Sequence, residues 1–246
     1  MDWQEPAIVL EATPYGEGDA LASVLSAGAG VWRGMVRGGA GRHKAPIWQK
    51  GNLVMARWVA RLETQLGNFS GELVHPAAAL AMNDRLSLAV LEAACATACS
   101  ALPEREPHED VFAALARLMA GMGIVGFDPV AALVEWEILV LRDLGFGLDF
   151  TAQASSNDRL AYISPRTGRA VTLSMAGEWV DRLFPLPPFM LGEGTPTLAD
   201  TLAGLRITGH FLARDVFGAH HKPLPPARQR LYDLVTDRSE DQKYAG

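Results

Sequence analysis

Between Ala20 and Leu62 the chain carries seven basic residues, Arg33, Arg37, Arg42, Lys44, Lys50, Arg57 and Arg61, and no acidic one. His43 and the tryptophans Trp32, Trp48 and Trp58 are interleaved with them. Cations at this density suit a polyanion, because each one that neutralises a phosphate releases condensed counterions, and aromatic rings can stack on bases. Side chains of a strand alternate between faces with period two. Arg33, Met35 and Arg37 therefore share a face opposite Trp32, Gly34 and Val36. The same count puts Arg57 and Arg61 with Leu53, Met55 and Val59, opposite Val54, Ala56, Trp58, Ala60 and Leu62. Between the two stretches, Gly38 to Lys44 reads as a flexible basic loop able to bring backbone N–H groups and cations to phosphates. A solvated surface is the commoner fate of charged residues, but arginine pairs sharing single faces favour a binding surface. The candidate nucleic-acid-binding set is Arg33, Arg37, Arg42, His43, Lys44, Trp48, Lys50, Arg57 and Arg61. Trp48, beside the loop, is the candidate for stacking on a base; Trp32 and Trp58 fall on core faces. If about five of the seven cations engage a single strand, the log–log dependence of affinity on salt has a slope of roughly −3.5.

Other chemistry-bearing residues read as structural. His108-Glu109-Asp110 is not a zinc-protease motif, since Phe112 stands four residues after His108, and its acids suit the first turn of a helix. Cys95 and Cys99 are spaced as neighbours on one helix face, but two ligands without further cysteines make an incomplete metal site, so small packed cysteines are expected. His220-His221-Lys222 suits the carbonyls at a helix C-terminus. Gly28 to Gly34 is one residue off a dinucleotide fingerprint and stands where a strand begins. No nucleophile elbow or phosphate-binding loop is present. The expectation is a protein that is not an enzyme, with no catalytic residue, cofactor or metal.

The positioning elements change character along the chain. Ala7–Thr13, Asp19–Ser26, Gly30–Arg37, Asn52–Leu62 and Leu66–Val74 read as five short strands separated by glycine-rich turns. Met82–Leu102, His108–Met122, Pro129–Leu144, Ser174–Phe184, Thr197–Phe217 and Pro225–Val235 show apolar spacings of three and four and read as helices. Gly145–Arg169, with its polar Ser155 to Asp158, and Pro185–Thr197 read as irregular. The fold class is α+β multidomain. A five-stranded OB-fold β-barrel occupies residues 1–76, an SH3-like barrel fitting the same strand count. An all-helical domain follows over 77–236, with an irregular zinc-free segment at 146–173, and 237–246 is a flexible tail. In 246 residues with 49% hydrophobic content and a net charge of −6, wholesale disorder is excluded. Residues 1–75 balance in charge, and the remainder, with 15 basic and 21 acidic residues, is acidic. Two cysteines, no leader-like start and no apolar run of bilayer length predict a soluble intracellular protein.

In order, Ala7-Ile8-Val9-Leu10, Gly16-Glu17, Val36-Arg37-Gly38-Gly39 and Gln49-Lys50-Gly51-Asn52 resemble landmarks of the RecO family of bacterial recombination mediators. Leu102 to His108, Leu144 to Asp149, Leu160 to Ala170 and Leu224 to Arg228 look like landmarks of that family's helical domain, so the resemblance covers nearly the whole chain. It implies an OB-fold joined to a helical domain. The implied activity is DNA repair and homologous recombination: binding single- and double-stranded DNA, annealing complementary strands, and helping RecA replace SSB on single strands. The implied partners are RecR, the SSB C-terminal tail, RecA indirectly and, in many bacteria, RecF. The implied location is cytoplasmic and nucleoid-associated. The acidic, hydrophobic SSB tail is received on the helical domain, where Arg206, Arg214 and Arg228 are the cations expected to edge an apolar groove. Some members carry a four-cysteine zinc site after the Leu144–Asp149 landmark; Asp149 to Met175 here holds no cysteine, so no zinc is expected. The competing reading is an RNA-binding or ribosome-associated OB-fold adaptor without annealing activity; a hydrolase or transferase is a distant third.

Overall fold

Alternation of apolar and polar residues, broken by Gly-containing turns, makes strands of the first 75 residues. In the computed structural model, which describes residues 1–62, 64–151 and 158–245, these are β1 (Asp2–Tyr15), β2 (Asp19–Ser26), β3 (Gly30–Val36), β4 (Leu53–Val59) and β5 (Asn68–His75). They close in the order β1-β2-β3-β5-β4. β1 is long enough to pair with β2 on one side and β4 on the other, helped by a bulge between Val9 and Glu11. The closing contact, β3 with β5, is parallel and limited to Met35 opposite Asn68 and Val36 opposite Phe69. That non-sequential order, closed by a parallel contact, is that of a five-stranded OB-type barrel.

The barrel is filled by aromatic rings. Trp32 and Trp58 meet edge to face with centroids 4.9 Å apart, Trp3 lies 6.1 Å from Trp32, and Phe69 lies 5.8 Å from Trp3 and 5.6 Å from Trp48. Val9, Ala22, Val24, Val36, Val54 and Ala56 complete the core. One buried polar side chain ties the barrel to the start of the helical region. Asn52 donates to the carbonyls of Pro46 and Ile47 at 2.9 and 3.2 Å and accepts from the N–H of Ala78 at 3.1 Å. Its own carbonyl accepts from Val9 at 2.9 Å. The Gln49–Asn52 landmark is thus a structural knot.

Three helices follow in the same compact unit, which comprises Met1–Pro129 with Pro225–Arg228: α1 (Ala77–Ala81), α2 (Arg85–Ala101) and α3 (Glu109–Gly121). Asp84 caps α2, and α2 packs on β1 and β2. The chain changes from strand to helix at Pro76, whereas the packing unit continues to Pro129. The segment Leu102–His108 lies along β3: Glu104 bridges Val31, and the Arg105 N–H donates to the Val31 carbonyl at 2.9 Å. Gly30 has φ +70°, and a Cβ there would stand 1.9 Å from the Glu106 carbonyl oxygen, so this approach requires glycine.

The second unit comprises Val130–Leu224 and the chain from Gln229 onward. α4 (Pro129–Asp143) is buried at Leu133, Val134, Trp136, Val140 and Leu141, in keeping with its apolar sequence. α6 (Leu198–Phe211) begins with a capping box of Thr197 and Asp200 and approaches α4 at Gly204, where a Cβ would meet Val134 at 3.0 Å. Beneath that contact Thr208 donates to the buried carboxylate of Glu137.

Three sequence expectations are corrected in this region. Gly145–Arg169 is not wholly irregular: β6 (Leu160–Ile163) and β7 (Ala170–Thr172) form a hairpin, and Phe184–Pro185 adds β8 in the order β7-β6-β8. Such short strands leave no room for a readable alternation. Of the polar stretch Ser155 to Asp158, residues 155–157 lie outside the described residues. The helix expected over Ser174–Phe184 is a single turn, α5 (Leu173–Ala176), continued as a 3₁₀ turn over Gly177–Arg182. Gly177, at φ +46°, breaks the α geometry. α7 (Pro226–Ala245) runs on where a flexible tail is expected, because Asp237 to Ala245 holds neither proline nor glycine to stop it. Among the described residues no helix is long and apolar enough to cross a membrane.

Asn52→Ala leaves a buried N–H and two carbonyls without their partner, and at about 1–3 kcal/mol per stranded buried group it should destabilise the first unit by at least ~2 kcal/mol. Urea unfolding followed by tryptophan fluorescence measures this, and an unchanged midpoint would remove Asn52 from its structural role.

Candidate nucleic-acid interface

The cations predicted from alternation do stand outside the barrel. Arg33, Arg37, Arg57 and Arg61 are exposed, while Trp32, Gly34, Val36, Val54, Ala56 and Trp58 are buried. β3 and β4 are not neighbours, however; β5 lies between them. Arg57 is the register partner of Ser70 on β5, and the Arg37 Nε donates to the Asn68 side chain at 3.4 Å. Asn68 and Ser70 are exposed and two residues apart, so they share the outer face of β5. Arg37 and Arg57 thus flank one strip, separated by two strand spacings, roughly 10 Å. Asn68 and Ser70 are members of this surface that charge counting alone does not reveal.

The loop between β3 and β4 is built differently from the flexible loop expected. The N–H groups of Gly38, Gly39, Ala40 and Gly41 donate to Asp19 Oδ1 and to the carbonyls of Val36, Gly18 and Gly38, at 2.7 to 3.0 Å. Lys44, Ala45, Ile47 and Trp48 continue with turn bonds to Gly41 and Lys44. A Cβ on Gly39 would lie 2.8 Å from Val36 and 2.9 Å from Ala20, so this turn packs tightly on the barrel. The N–H groups of Gly38 to Gly41 are therefore already engaged within the protein. Arg42, His43 and Lys44 are exposed on it, with the Lys44 ammonium 2.8 Å from the Arg37 carbonyl.

Trp48 is corrected outright. It is 2% exposed and belongs to the barrel core, against Phe69, so it has no face to offer a base. The apolar contents of a small barrel draw in every large ring within reach.

Electrostatics divide the cations further. Arg33 pairs with Glu104 at 2.8 Å, Lys50 with Glu92 at 2.7 Å and Arg57 with Asp2 at 3.1 Å. Among the described residues, Arg37, Arg42, Lys44 and Arg61 form no ion pair with a carboxylate. Beside this set, Arg105 holds its guanidinium 4.8 Å above the Trp32 ring, with φ +64°. Cys95 is buried against the Val9 carbonyl, burial pushing its thiol up, and burial also raises Cys99. Neither thiol is poised for chemistry.

The three cations expected to edge a groove in the helical domain have three fates. Arg206 lies 5.3 Å over the Phe184 ring and lines a 230 Å³ pocket with Pro185, Leu202, Ala203 and Tyr232. Arg214 donates to the Pro165 carbonyl, to the Arg166 carbonyl at 3.1 Å and to Asp215 at 2.6 and 2.7 Å, the last contact raising its already high pKa. It braces the turn that carries Pro165 and Arg166. Arg228, in the first turn of α7, is 1% exposed and is not a groove edge. Among the described residues no cluster of three His, Cys, Asp or Glu side chains could hold a metal.

Two family models match this chain: Recombination protein O N terminal over residues 1–77, and Recombination protein O C terminal over residues 82–225. The chain is 57% identical over 244 residues to the DNA repair protein RecO of Acidiphilium cryptum, covering 97% of each. It is 51% identical over 251 residues to that of Granulibacter bethesdensis, covering 99% of each. Identity to that of Gluconacetobacter diazotrophicus is 50% over 242 residues, 96% of this chain and 95% of the other.

If the unpaired cations contact a single strand, the combined change Arg37→Ala, Arg42→Ala and Lys44→Ala should flatten the log–log salt dependence by about 2, at ~0.7 per phosphate. Arg57→Ala, which removes a charge that Asp2 already offsets, should do less than Arg37→Ala. Fluorescence anisotropy across a salt series reads both; equal slopes for the folded triple variant and the unaltered protein would exclude this face.

Proposed function

The chain belongs to the RecO family of DNA repair proteins, and from that premise we propose that it binds single- and double-stranded DNA on the outer β3-β5-β4 strip and the adjoining loop. The observation that carries this reading is that Arg37 and Arg57 flank the exposed Asn68 and Ser70 of β5 on an OB-type barrel, with the Lys44 ammonium beside the Arg37 carbonyl. Contacts of this kind go to phosphates and carry little sequence information. With the barrel's rings enclosed, no base need be held against them, and base edges stay free to pair. A cationic surface that holds two polyanions lowers their mutual repulsion, and that is sufficient for annealing. No covalent step is involved.

In this reading the protein works in the cytoplasm at the nucleoid, with RecR and, where present, RecF, helping RecA replace SSB on single strands. The acidic, hydrophobic SSB tail fits the pocket beside Arg206: the guanidinium meets a carboxylate while Phe184, Leu202 and Ala203 take an apolar side chain. Arg206→Ala should weaken a tail peptide by about tenfold, as befits one charge-assisted contact of ~1.5 kcal/mol or more.

The deciding experiment is annealing of complementary fluorescent oligonucleotides, bare and SSB-coated, across a salt series. Acceleration that persists on coated strands and fades with salt is expected. Binding that favours single-stranded RNA, with no acceleration of annealing, would replace this reading with an RNA-binding adaptor.

A further inference from the structure

The 3₁₀ turn Gly177–Arg182 sorts its own charges. Side chains three apart eclipse in such a turn, so Trp179 and Arg182 share one face and Glu178 and Asp181 another. Arg182 stacks 5.1 Å from the Trp179 ring, which nonetheless remains 53% exposed. Both line a cavity of 660 Å³, whose other wall is the β6–β7 turn carrying Arg166 and Arg169. Val171, Met175 and Leu183 supply apolar lining. Among the described residues that line it are three arginines and no carboxylate. The nearest acid in the contacts of these arginines is Asp149, loosely placed 3.6 Å from Arg169. The wall is braced from behind: Arg214 donates to the carbonyls of Pro165 and Arg166, and the His210 Nε2 stands 3.0 Å from the Pro165 oxygen.

A half-exposed indole beside forked cations matches a ligand that joins a flat π system to an oxyanion. Arginine grips phosphate through paired N–H groups, and a base stacks on tryptophan irrespective of its identity. We propose that this cavity is a second binding site for single-stranded nucleic acid, with a base on Trp179 and phosphates on Arg166, Arg169 and Arg182. The site rests on the reading of the chain as a DNA-binding protein but uses none of the barrel's residues. A carboxylate-rich peptide would satisfy the cations, yet would leave the flat indole face without a matching plane. For an annealing protein the site supplies what the enclosed barrel tryptophans do not, an indole face that holds a strand through its bases.

The test uses the full chain and a labelled oligothymidylate. Trp179→Ala should weaken binding about 5- to 150-fold, the range for loss of one base–aromatic stack, and Trp179→Phe should restore most of it. Arg166→Gln with Arg182→Gln should flatten the salt slope by about 1.4. In parallel, light-induced crosslinking of the unaltered protein to iodouracil-substituted oligonucleotide should attach at Trp179, a readout that survives should a variant fail to fold. The proposal is overturned if Trp179→Ala binds the oligonucleotide normally while the Arg37, Arg42 and Lys44 triple variant does not, or if its loss is confined to an acidic peptide. Absence of DNA binding by the unaltered protein would instead defeat the broader reading from which the site starts.

Discussion

The constraint on which the rest depends is the volume of the barrel. Five strands enclose little space, and here Trp32, Trp48, Trp58 and Phe69 fill it, with Trp3 closing the cluster. Rings of this size bury about 150–250 Å² each, so their removal from water is the main driving force for closing the sheet. The same packing leaves the barrel's outer surface without an exposed tryptophan. A barrel so built offers charge and shape to a nucleic acid, and none of its tryptophans as a stacking platform. The binding proposed for it would therefore rest on phosphate contacts, which carry little sequence information.

Charge on that surface is restrained as well as concentrated. Asp2, Glu92 and Glu104 come from the first strand, from α2 and from the segment beyond it to pair with Arg57, Lys50 and Arg33. Exposed pairs of this kind contribute ~0–1 kcal/mol each to stability. Their larger effect is on binding, because a phosphate must displace a carboxylate to reach these cations. Among the described residues Arg37, Arg42 and Lys44 form no ion pair with a carboxylate, so in the proposed binding they would meet phosphate without that competition. Under the annealing role proposed here strands must be released once they pair, and a surface that is partly self-neutralised suits release better than one that holds every phosphate it meets.

Much of this was legible in the chain because it is local. Short apolar runs between glycine-rich turns identified all five barrel strands, alternation gave the outward faces of Arg33, Arg37, Arg57 and Arg61, and apolar spacing placed the start of α6 at Thr197. What was not legible depends on partners distant in sequence. Trp48 stands next to basic residues yet packs across the barrel on Phe69, and Lys50 meets Glu92 from 42 residues away. The β3–β4 loop is glycine-rich and so reads as mobile, but Asp19 and the Gly18 carbonyl pin it from the neighbouring turn. Arg228 resembles a surface cation in a polar segment and is buried by the fold around it. In each case composition names the groups, and only tertiary structure decides which face water.

The hairpin after Leu144–Asp149 shows how such a segment holds without thiolates. Where some family members place four cysteines, this chain has a three-stranded sheet whose Ile163, Ala170 and Thr172 are buried. Its ends are tied by carboxylates. Asp149 accepts from the N–H and hydroxyl of Thr151 at 2.9 and 2.5 Å, and Asp158 accepts from the hydroxyl of Ser174 and from its N–H at 3.2 Å. These hydrogen bonds hold both carboxyls below their ordinary range. The ties are thus complete above the usual carboxylate pKa and loosen as pH falls through the depressed values. Metal ligation would put the cost of holding the loop into ion capture; here it is met by backbone pairing, two aspartates and the Arg214 brace. The hairpin turn carries two arginines, Arg166 and Arg169, that line an open cavity with Trp179 and Arg182.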